Sequence, residues 1–375
     1  MKIVFVTGSL VHGGAERHSI TLANRLAERG HQCQLVYVKN DPSQLPRLKV
    51  PSTCLLAQRY LDFRAIKKLK LILDEARPAV VHVSNPYALL YTSLARPAAP
   101  VAVTLHSTWP RTLKERLQML AYRPLFWAAE RAIFVCQRQR RHWRNRGLFG
   151  RSNSVIYNGV DLGHWAPFKG NSPIKPVLGI APDEYVIGMS AVLRPEKNHV
   201  RLVRAVAMLR SRGVPARALM IGDGETRPQV EAMAKRLGVA PHVTITGLQQ
   251  DVRPFLAACD VVALPSATEA FSLAAIEAMA LGIPVVHADV GGAAEMIRPG
   301  HDGFLFPAGD TGSLVDCLAA LSDGDLRRRM GCAARESVEA QFTERSMVER
   351  YETSFNELAA TRSRRESLRR RAAAH

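Results

Sequence analysis

Short apolar runs alternate with amphipathic helical segments along the first half of the chain. The runs recur about 20–30 residues apart, which is typical of βαβ units whose parallel sheet is buried on both faces. The predicted strands of this half are Ile3–Thr7, Gln34–Val38, Val80–Val83, Val101–Leu105, Ala132–Val135 and Ser154–Ile156. The predicted helices include Ala15–Arg29, Asp62–Glu75 and Thr112–Glu130.

The periodicity disappears over residues 158–183, a stretch rich in proline and glycine that is typical of a connection between domains. A second strand–helix series follows. Its predicted strands are Tyr185–Ser190, Ala218–Ile221, Val243–Ile245, Val261–Leu264 and Val285–His287, with a last strand near Phe304. The pattern predicts two doubly wound α/β domains, with ligands beyond the carboxyl ends of the strands and a cleft between the domains as the expected site.

The domain bounds follow from the same pattern. We expect a first domain over residues 1–165, a linker over 166–182 and a second domain over 183–345. Helices predicted at Leu326–Gln341 and Arg345–Ala360 come last, and residues 346–375 form a C-terminal helix that can pack back on the first domain, followed by a basic tail. The tail from Thr361 onward is predicted to be disordered and dispensable.

The amino-acid composition indicates the class of the domains and the cellular compartment of the protein. The 375 residues are 47% hydrophobic and 6% aromatic, which suits two α/β domains with real cores. Six scattered cysteines form no CxxC pair and indicate a reducing compartment. The first apolar run stops at Gly8, and no stretch approaches 18 apolar residues, so we expect a cytoplasmic protein without a signal peptide or membrane span.

The formal net charge of +18 is concentrated in two segments. Residues Arg111–Arg151 hold 11 Lys and Arg against two Glu, and Arg362–Arg371 hold six Arg against one Glu. Clustered positive charge favours a polyanionic partner, and an anionic membrane surface contacted by Arg111–Arg151 is the expected one. A solvated basic face remains an alternative. A nucleic-acid-binding module is another, but no zinc or RNA-recognition motif accompanies the charges, and we expect no nucleic-acid partner.

A glycine-rich turn follows the first predicted strand. It contains His12, Gly13, Gly14 and Glu16, and such a turn can bring backbone N–H groups close to an anion. It is neither a Walker A loop, because no Lys-Ser/Thr follows, nor a dinucleotide fingerprint, because the GxGxxG spacing is absent. A tight turn without a ligand remains an alternative.

Two further groups of residues lie in the second domain. Arg194 and Lys197 follow its first strand, where cations suit a diphosphate leaving group. A basic loop without a ligand remains an alternative. Glu269 precedes a helix that opens at Phe271-Ser272-Leu273, whose N–H groups can bind phosphate, and Glu277 lies about a turn and a half inside it. An acid inside an apolar helix is costly unless it has a partner, and two carboxylates flanking an anion site suit the hydroxyls of a sugar and a ribose.

The two acids resemble a known signature. Glu269 and Glu277 match the Glu-x7-Glu motif of retaining glycosyltransferases, and the run from Glu277 to Val286 resembles glycosyltransferase family 4. Other matches occur in the family's order: Gly13-Gly14-Ala15-Glu16, His106, Asn158-Gly159-Val160-Asp161, Pro195-Glu196-Lys197, Gly222-Asp223-Gly224 and Gly291-Gly292-Ala293-Ala294-Glu295. The resemblance runs from Met1 to about Tyr351.

The resemblance implies the GT-B fold, two Rossmann-like domains facing across a cleft, and a hexosyltransferase that needs no metal and no cofactor. Its co-substrate would be a nucleotide sugar, with UDP expected from family frequency. The catalytic group implied is Glu269 on the sugar hydroxyls, His106 against the transferred sugar and Lys197 on the diphosphate. The donor-binding residues implied are Gly14, Arg194, Lys197, Gly222, Phe271, Ser272, Leu273 and Glu277. The acceptor-side residues are His12, Gly13 and Glu16.

One position departs from the family. The arginine that usually stands five residues before the lysine is replaced by Val192, and the nearest arginine is Arg194. Either Arg194 substitutes for it, or fewer charges neutralise the diphosphate.

The resemblance alone implies that the sugar keeps its anomeric configuration, with the departing phosphate accepting the acceptor's proton.

The residues in and next to one predicted helix indicate the class of acceptor. Leu113, Leu117, Leu120, Leu125, Phe126 and Trp127 are interleaved there with Arg111, Lys114, Arg116 and Arg123. Such a surface favours a lipid-linked or lipopolysaccharide-type glycan acceptor at the inner face of the cell membrane, although Pro124 interrupts the pattern and predicts some loop. An ordinary helix packed on the sheet, a small-molecule acceptor and a sugar-nucleotide epimerase remain alternatives.

Overall fold

The computed structural model describes residues 1–11, 13–41, 43, 45–106, 113–167 and 174–373, and their side chains except at 114 and 363–373. The chain divides into two compact units. The first comprises Met1–Asn158 together with Arg345–His375, and the second comprises Gly159–Glu344. The stretch 166–182, predicted as a linker, falls within the second unit.

The first unit is built on a seven-stranded parallel sheet. Its strands are β1 (Lys2–Thr7), β2 (Gln32–Tyr37), β3 (Ser52–Cys54), β4 (Val80–Val83), β5 (Val101–Leu105), β6 (Arg131–Phe134) and β7 (Ser152–Val155). Their order across the sheet is β3-β2-β1-β4-β5-β6-β7, and Phe5 of β1 pairs with Leu35 on one side and His82 on the other. The strand order therefore reverses direction at β1, where doubly wound sheets bind ligands.

Five helices connect these strands: α1 (Gly14–Glu28), α2 (Phe63–Ala76), α3 (Pro86–Ala95), α4 (Leu113–Ala128) and α5 (Gln137–Arg144), with a 3-10 turn at Leu45–Arg47. Local sequence sets their starts. The Asp62 carboxylate accepts hydrogen bonds from the N–H groups of Arg64 and Ala65, and Asn85 Oδ1 accepts one from Ala88 N–H, which satisfies first-turn donors of α2 and α3.

The second unit is built on a six-stranded parallel sheet of order β10-β9-β8-β11-β12-β13. Its strands are β8 (Tyr185–Ser190), β9 (Ala216–Ile221), β10 (Val243–Ile245), β11 (Val261–Leu264), β12 (Val285–Ala288) and β13 (Gly303–Phe306). Its helices are α6 (Ile174–Val177), α7 (His199–Ser211), α8 (Arg227–Arg236), α9 (Arg253–Leu256), α10 (Leu273–Ala280), α11 (Ala293–Met296), α12 (Thr311–Ala320) and α13 (Gly324–Gln341). Two 3-10 turns, Pro195–Lys197 and Ala240–His242, complete it. Here the order reverses at β8.

The last helix, α14 (Glu344–Ala373), packs on the first unit. Its apolar side chains Met347, Val348, Tyr351, Phe355 and Leu358 join one core cluster with Ile3 and Phe5 of β1 and Leu22 of α1. Glu352 accepts hydrogen bonds from His31 and Arg29 at the rim of this contact. The face of the sheet that α1 covers is thus completed by the end of the chain.

The predicted strands are confirmed to within two residues, and four corrections concern the rest. Strand β3 was not predicted because three residues carry too little periodicity. Helix α4 continues through Pro124 to Ala128 instead of breaking, since the fully buried Phe126 anchors its last turns. The tail predicted to be disordered is helical to Ala373. Residues 344–373 contain no Gly or Pro and are rich in good helix formers.

The fourth correction concerns the predicted lipid-facing surface of α4. Leu125 packs against the core and Phe126 is fully buried, so neither belongs to an exposed face. Leu113, Leu117, Leu120 and Trp127 are exposed as predicted. Arg111 and the side chain of Lys114 lie outside the described residues.

Candidate donor site and acceptor-side residues

Lys197 and Glu269 meet at the carboxyl ends of two neighbouring strands. Lys197 ends the 3-10 turn that follows β8, and Glu269 stands in the loop that follows β11. The backbone N–H of Ala267 donates to the Glu196 carbonyl at 2.8 Å, which holds the two loops together. Two residues 72 positions apart are thereby brought into contact at the point where the strand order of this sheet reverses.

The two side chains form a short ion pair. Lys197 Nζ donates to Glu269 Oε1, and Ser266 Oγ donates to the same oxygen at 3.1 Å. The Glu269 side chain is 10% exposed and that of Lys197 is 26% exposed. A buried carboxylate thus has beside it a lysine that remains reachable from solvent.

The loop after Glu269 enters helix α10 through Ser272. Ser272 Oγ accepts a hydrogen bond from Ala275 N–H at 3.3 Å, and Ile276 N–H donates to the Ser272 carbonyl. The N–H groups of Leu273 and Ala274 therefore lie outside the hydrogen-bond ladder of the helix and are available to an anion. Phe271 is buried and stacks edge-on against Phe342, which fixes the path into the helix.

Glu277 lies in the fifth position of α10. It is 4% exposed, although the helix is otherwise made of Leu, Ala, Ile and Met. Helix α10 thus carries a buried carboxylate at this position, and the contact of Glu277 with a ribose stays a prediction.

Two glycines permit close backbone approaches around this site. Gly291 has φ +54°, and a Cβ there would lie 2.1 Å from the carbonyl oxygen of Glu269. Gly222, at the end of β9, has φ +143°, and a Cβ there would lie 2.2 Å from the carbonyl oxygen of Ala191. Any side chain at position 291 would displace the loop that carries Glu269, which explains the glycine there.

Two buried histidines near the ion pair were missed by the sequence reasoning. The pKa of His287 is lowered by burial, an effect that the nearby Glu269 opposes and Lys197 reinforces. The pKa of His199 is lowered to about 4, mainly by burial and also by Lys197. Both imidazoles are thus neutral at neutral pH. The available signal was a histidine within the apolar run Val285–Ala288 and another two residues after Lys197.

The backbone carbonyl of Arg194 accepts a hydrogen bond from Lys197 N–H at 3.0 Å, whereas its side chain has no ion pair with Glu269. It is exposed, precedes the 3-10 turn in an extended conformation, and forms no ion pair with the described part of the chain. Val192, where the family has its arginine, is half-buried. The contact of Arg194 with the diphosphate stays a prediction.

In the first unit, Gly13 and Gly14 stand where β1 gives way to α1. Gly13 is the N-cap of α1 and Gly14 its first residue, and a Cβ on Gly13 would lie 2.4 Å from Glu16 Oε2. The Glu16 carboxylate thus folds over the first turn of the helix, where a negative charge is favourable. His12 lies outside the described residues.

His106 follows β5 directly. Its Nε2 is buried and has no hydrogen-bond partner within the described ranges, while the residue as a whole is partly exposed. Burial lowers the pKa of His106 to about 4, so its imidazole is neutral at neutral pH. A neutral histidine with an unsatisfied nitrogen is suited to hydrogen-bonding a ligand.

The described residues include neither a grouped set of metal ligands nor a helix that could span a membrane. Within the residues that the structure describes, no three His, Cys, Asp or Glu side chains are grouped as metal ligands. None of the described helices is both apolar enough and long enough to cross a bilayer. Independence of metal and a location at the inner face of a membrane both stay predictions.

Comparison with known proteins assigns the class. Residues 171–337 match the model of "Glycosyl transferases group 1", and residues 12–164 match that of "Glycosyltransferase Family 4". The two matches together cover most of the chain, which therefore belongs to these glycosyltransferases, and the predicted family is confirmed.

Individual proteins agree with this assignment. The chain is 34% identical to N-acetyl-alpha-D-glucosaminyl L-malate synthase of Bacillus anthracis over 54% of its own length and 52% of that relative. It thus spans about half of that relative. The crystal structure of Anabaena HepE with UDP and glucose matches 95% of the chain and 100% of HepE, with a TM-score of 0.84 and 23% identity. The apo lipopolysaccharide outer core galactosyltransferase WaaB matches 95% of the chain and 99% of WaaB, with a TM-score of 0.73 and 20% identity. These likenesses confirm the GT-B fold.

Proposed function

We propose that this protein is a retaining hexosyltransferase that takes a sugar from a nucleotide sugar and passes it to a glycan acceptor. The observation that carries the proposal is the Lys197–Glu269 ion pair beside the N-terminus of α10, at the strand reversal of the second sheet. A carboxylate, an ammonium and free helix N–H groups together suit a sugar linked to a diphosphate.

Each group has a separate role in this proposal. Glu269 accepts hydrogen bonds from the donor sugar, Glu277 binds the ribose, and Lys197 with the first N–H groups of α10 stabilises the diphosphate as its charge grows. His106 contacts the transferred sugar as a neutral imidazole. The departing phosphate takes the acceptor's proton on the same face, so a separate protein base is not required and the configuration is retained.

For the nucleotide we propose UDP. The support is family frequency together with HepE, whose crystal structure contains UDP and glucose. The test is a thermal-shift screen of UDP-, GDP-, ADP- and TDP-sugars without an acceptor. At a concentration 100 times Kd, a bound donor adds about 2.7 kcal/mol of stability, or roughly 5–10 °C in the second unit. Indifference to every nucleotide sugar would refute the proposal.

Matched variants make the donor test specific. Lys197→Met should abolish the shift that the preferred donor causes in wild type. Lys235→Met is the control, because Lys235 is an exposed lysine in the last turn of α8, away from the proposed contacts. A donor shift that survives Lys197→Met would show that the nucleotide sugar binds elsewhere.

For the acceptor we propose a lipid-linked or lipopolysaccharide-type glycan at the inner face of the membrane. Leu117 and Trp127 of α4 are 57% and 47% exposed, and Arg116 and Arg123 lie on the same helix. An apolar surface edged with cations suits anionic lipid. WaaB, a lipopolysaccharide galactosyltransferase by name, shares the fold.

Vesicle flotation tests the membrane proposal. Wild type should float with vesicles containing phosphatidylglycerol at low salt and much less at high salt, because exposed charges are screened. Leu117→Gln should weaken flotation, whereas Leu71→Gln should not, since Leu71 is equally exposed (60%) but lies on α2. Equal flotation of both variants, or none by wild type, would count against this surface.

A small anionic acceptor is the second candidate. The observation that favours it is the relative whose name includes L-malate. Once the donor is known, transfer to malate without vesicles would establish this alternative, and transfer that requires a lipid-linked glycan would exclude it.

A further inference from the structure

Three histidines of the first unit lie together beneath the last helix, and two of them, His18 and His82, are buried. His18 lies on α1, His82 on β4 and His106 after β5. The rings of His18 and His106 have centroids 4.6 Å apart at a tilt of 58°. His106 is the residue proposed to meet the transferred sugar, and the roles of the other two are unassigned.

His18 is a costly residue for this position. It is 4% exposed, and neither of its ring nitrogens has a hydrogen-bond partner within the described ranges. Leaving buried polar atoms unsatisfied costs free energy that an aromatic ring without nitrogens would avoid. Stability alone would favour phenylalanine here, so the nitrogens of His18 indicate a role in function.

The surroundings of His18 fix its ring. Its centroid lies 5.3 Å from that of Tyr351 on α14. The Tyr351 hydroxyl shares a hydrogen bond of 3.0 Å with Thr104 Oγ1, which in turn is 2.8 Å from His82 Nε2. Tyr351 and His82 therefore already have a common polar partner. The nitrogens of His18 have none within the described ranges, and the ring beside them is that of His106, whose Nε2 is also buried and unsatisfied.

We propose that His18 is a positioning residue that hydrogen-bonds His106, directly or through one water, and so fixes the tautomer with which His106 meets the transferred sugar. In a neutral imidazole, the hydrogen bond made by one nitrogen decides which form the other nitrogen presents. Hydrogen bonds of this kind are often long in the free enzyme and tighten when substrate binds. The inference rests on the proposed role of His106.

The charge state of the pair agrees with this geometry. Burial lowers the pKa of His18 well below its usual range, and the neighbouring His106 and His82 lower it further. The titratable groups that contact His18 include His82, His106 and Tyr351, and burial raises the pKa of the Tyr351 hydroxyl. All four groups are thus uncharged at neutral pH, and the pair communicates through a hydrogen bond and not through charge.

The experiment compares His18→Phe, which keeps the ring and removes the nitrogens, with His18→Gln, which keeps a hydrogen-bonding group. We expect His18→Phe to lower kcat at least tenfold, with an unchanged KM for the donor and a Tm equal to or above that of wild type. His18→Gln should recover part of kcat. In nitrogen-15 spectra, the His106 tautomer should be single in wild type and mixed in His18→Phe.

Ile20→Val is the control, since Ile20 is buried on the same helix (3% exposed) and this change should lower Tm while leaving kcat unchanged. Wild-type kcat in His18→Phe, or equal losses of kcat in the two His18 variants with an unchanged His106 tautomer, would overturn the inference. If His106→Ala itself keeps wild-type kcat, the proposed role of His106 fails first. If His106→Ala is inactive and His18→Phe is fully active, only the positioning role fails.

Discussion

The Lys197–Glu269 ion pair allows a quantitative test of the site, because its two members differ in burial. Removing the lysine leaves Glu269, whose side chain is 10% exposed, with Ser266 as its remaining described hydrogen-bond donor. Fully exposed pairs contribute about 0–1 kcal/mol, whereas breaking a buried pair costs about 3–5 kcal/mol. For a carboxylate this buried beside a lysine that is 26% exposed, we expect Lys197→Met to cost about 1–3 kcal/mol.

The converse change should be milder. Glu269→Gln keeps the shape of the side chain and leaves behind an ammonium that solvent can reach, so we expect a cost of about 1 kcal/mol or less. The double variant should then be more stable than the sum of the single changes predicts. Urea unfolding of the four proteins measures this coupling, which we expect to reach about 1 kcal/mol.

Activity should respond differently from stability. Lys197→Met should reduce donor turnover by about 10²–10³-fold, in the range found when one group that stabilises a leaving charge is removed. Glu269→Gln should also remove most turnover, although it is the more stable protein. Stability effects that add within about 0.5 kcal/mol would show that the pair is not coupled. Near-wild-type turnover in either single variant would refute the assigned roles.

Three further predictions concern other parts of the chain. Gly291→Ala should weaken donor binding at least tenfold by displacing the Glu269 backbone. Gly300→Ala is the control, because Gly300 has φ +79° but no neighbouring atom within 4 Å, so this change should lower stability alone. Calorimetric titration with the donor would compare the affinities of the two variants. Burial lowers the pKa of His82 to about 3 from an ordinary 6.5, so below pH 6.5 the unfolded chain binds a proton that the folded chain does not. Between pH 7 and pH 5, the free energy of unfolding of wild type, measured in urea, should fall by about 2 kcal/mol more than that of His82→Phe. Equal decreases in the two proteins would contradict this. Deleting residues 362–375 should leave Tm unchanged because Leu358 is retained, whereas deleting 345–375 should unfold the first unit, as circular dichroism and solubility would show.

The sequence was sufficient for the parts of the fold that periodicity controls. Buried parallel strands stand out as apolar runs between turn signals, and the strand Val261–Leu264 was predicted to the residue. Strand β3 was not foreseen, because it depends on pairing with β2. The helix over Thr112–Glu130 was predicted, but the loop expected at Pro124 was wrong, because the packing of Phe126 is not evident from local sequence.

The candidate site, too, could be predicted from the sequence only in part. Motif order identified Lys197 and Glu269 separately, but only the adjacency of β8 and β11 shows that they form an ion pair. His18 escaped notice because one histidine among the alternating residues of α1 carries no signal by itself. Its significance arises from His106, 88 positions later in the sequence, and from Tyr351 near the other end of the chain.

The placement of α14 also determines the order in which the two units can mature during synthesis. The first unit has all its strands once residue 155 has been made, but the face of the sheet that holds Ile3 and Phe5 is covered only by α1 until Tyr351 and Phe355 leave the ribosome. At ~5–20 residues per second, that interval lasts roughly 10–40 s. The second unit is contiguous in sequence and needs no such partner. The half of the protein that is translated first is therefore the half that finishes folding last, and its waiting apolar face is a surface that chaperones would have to protect.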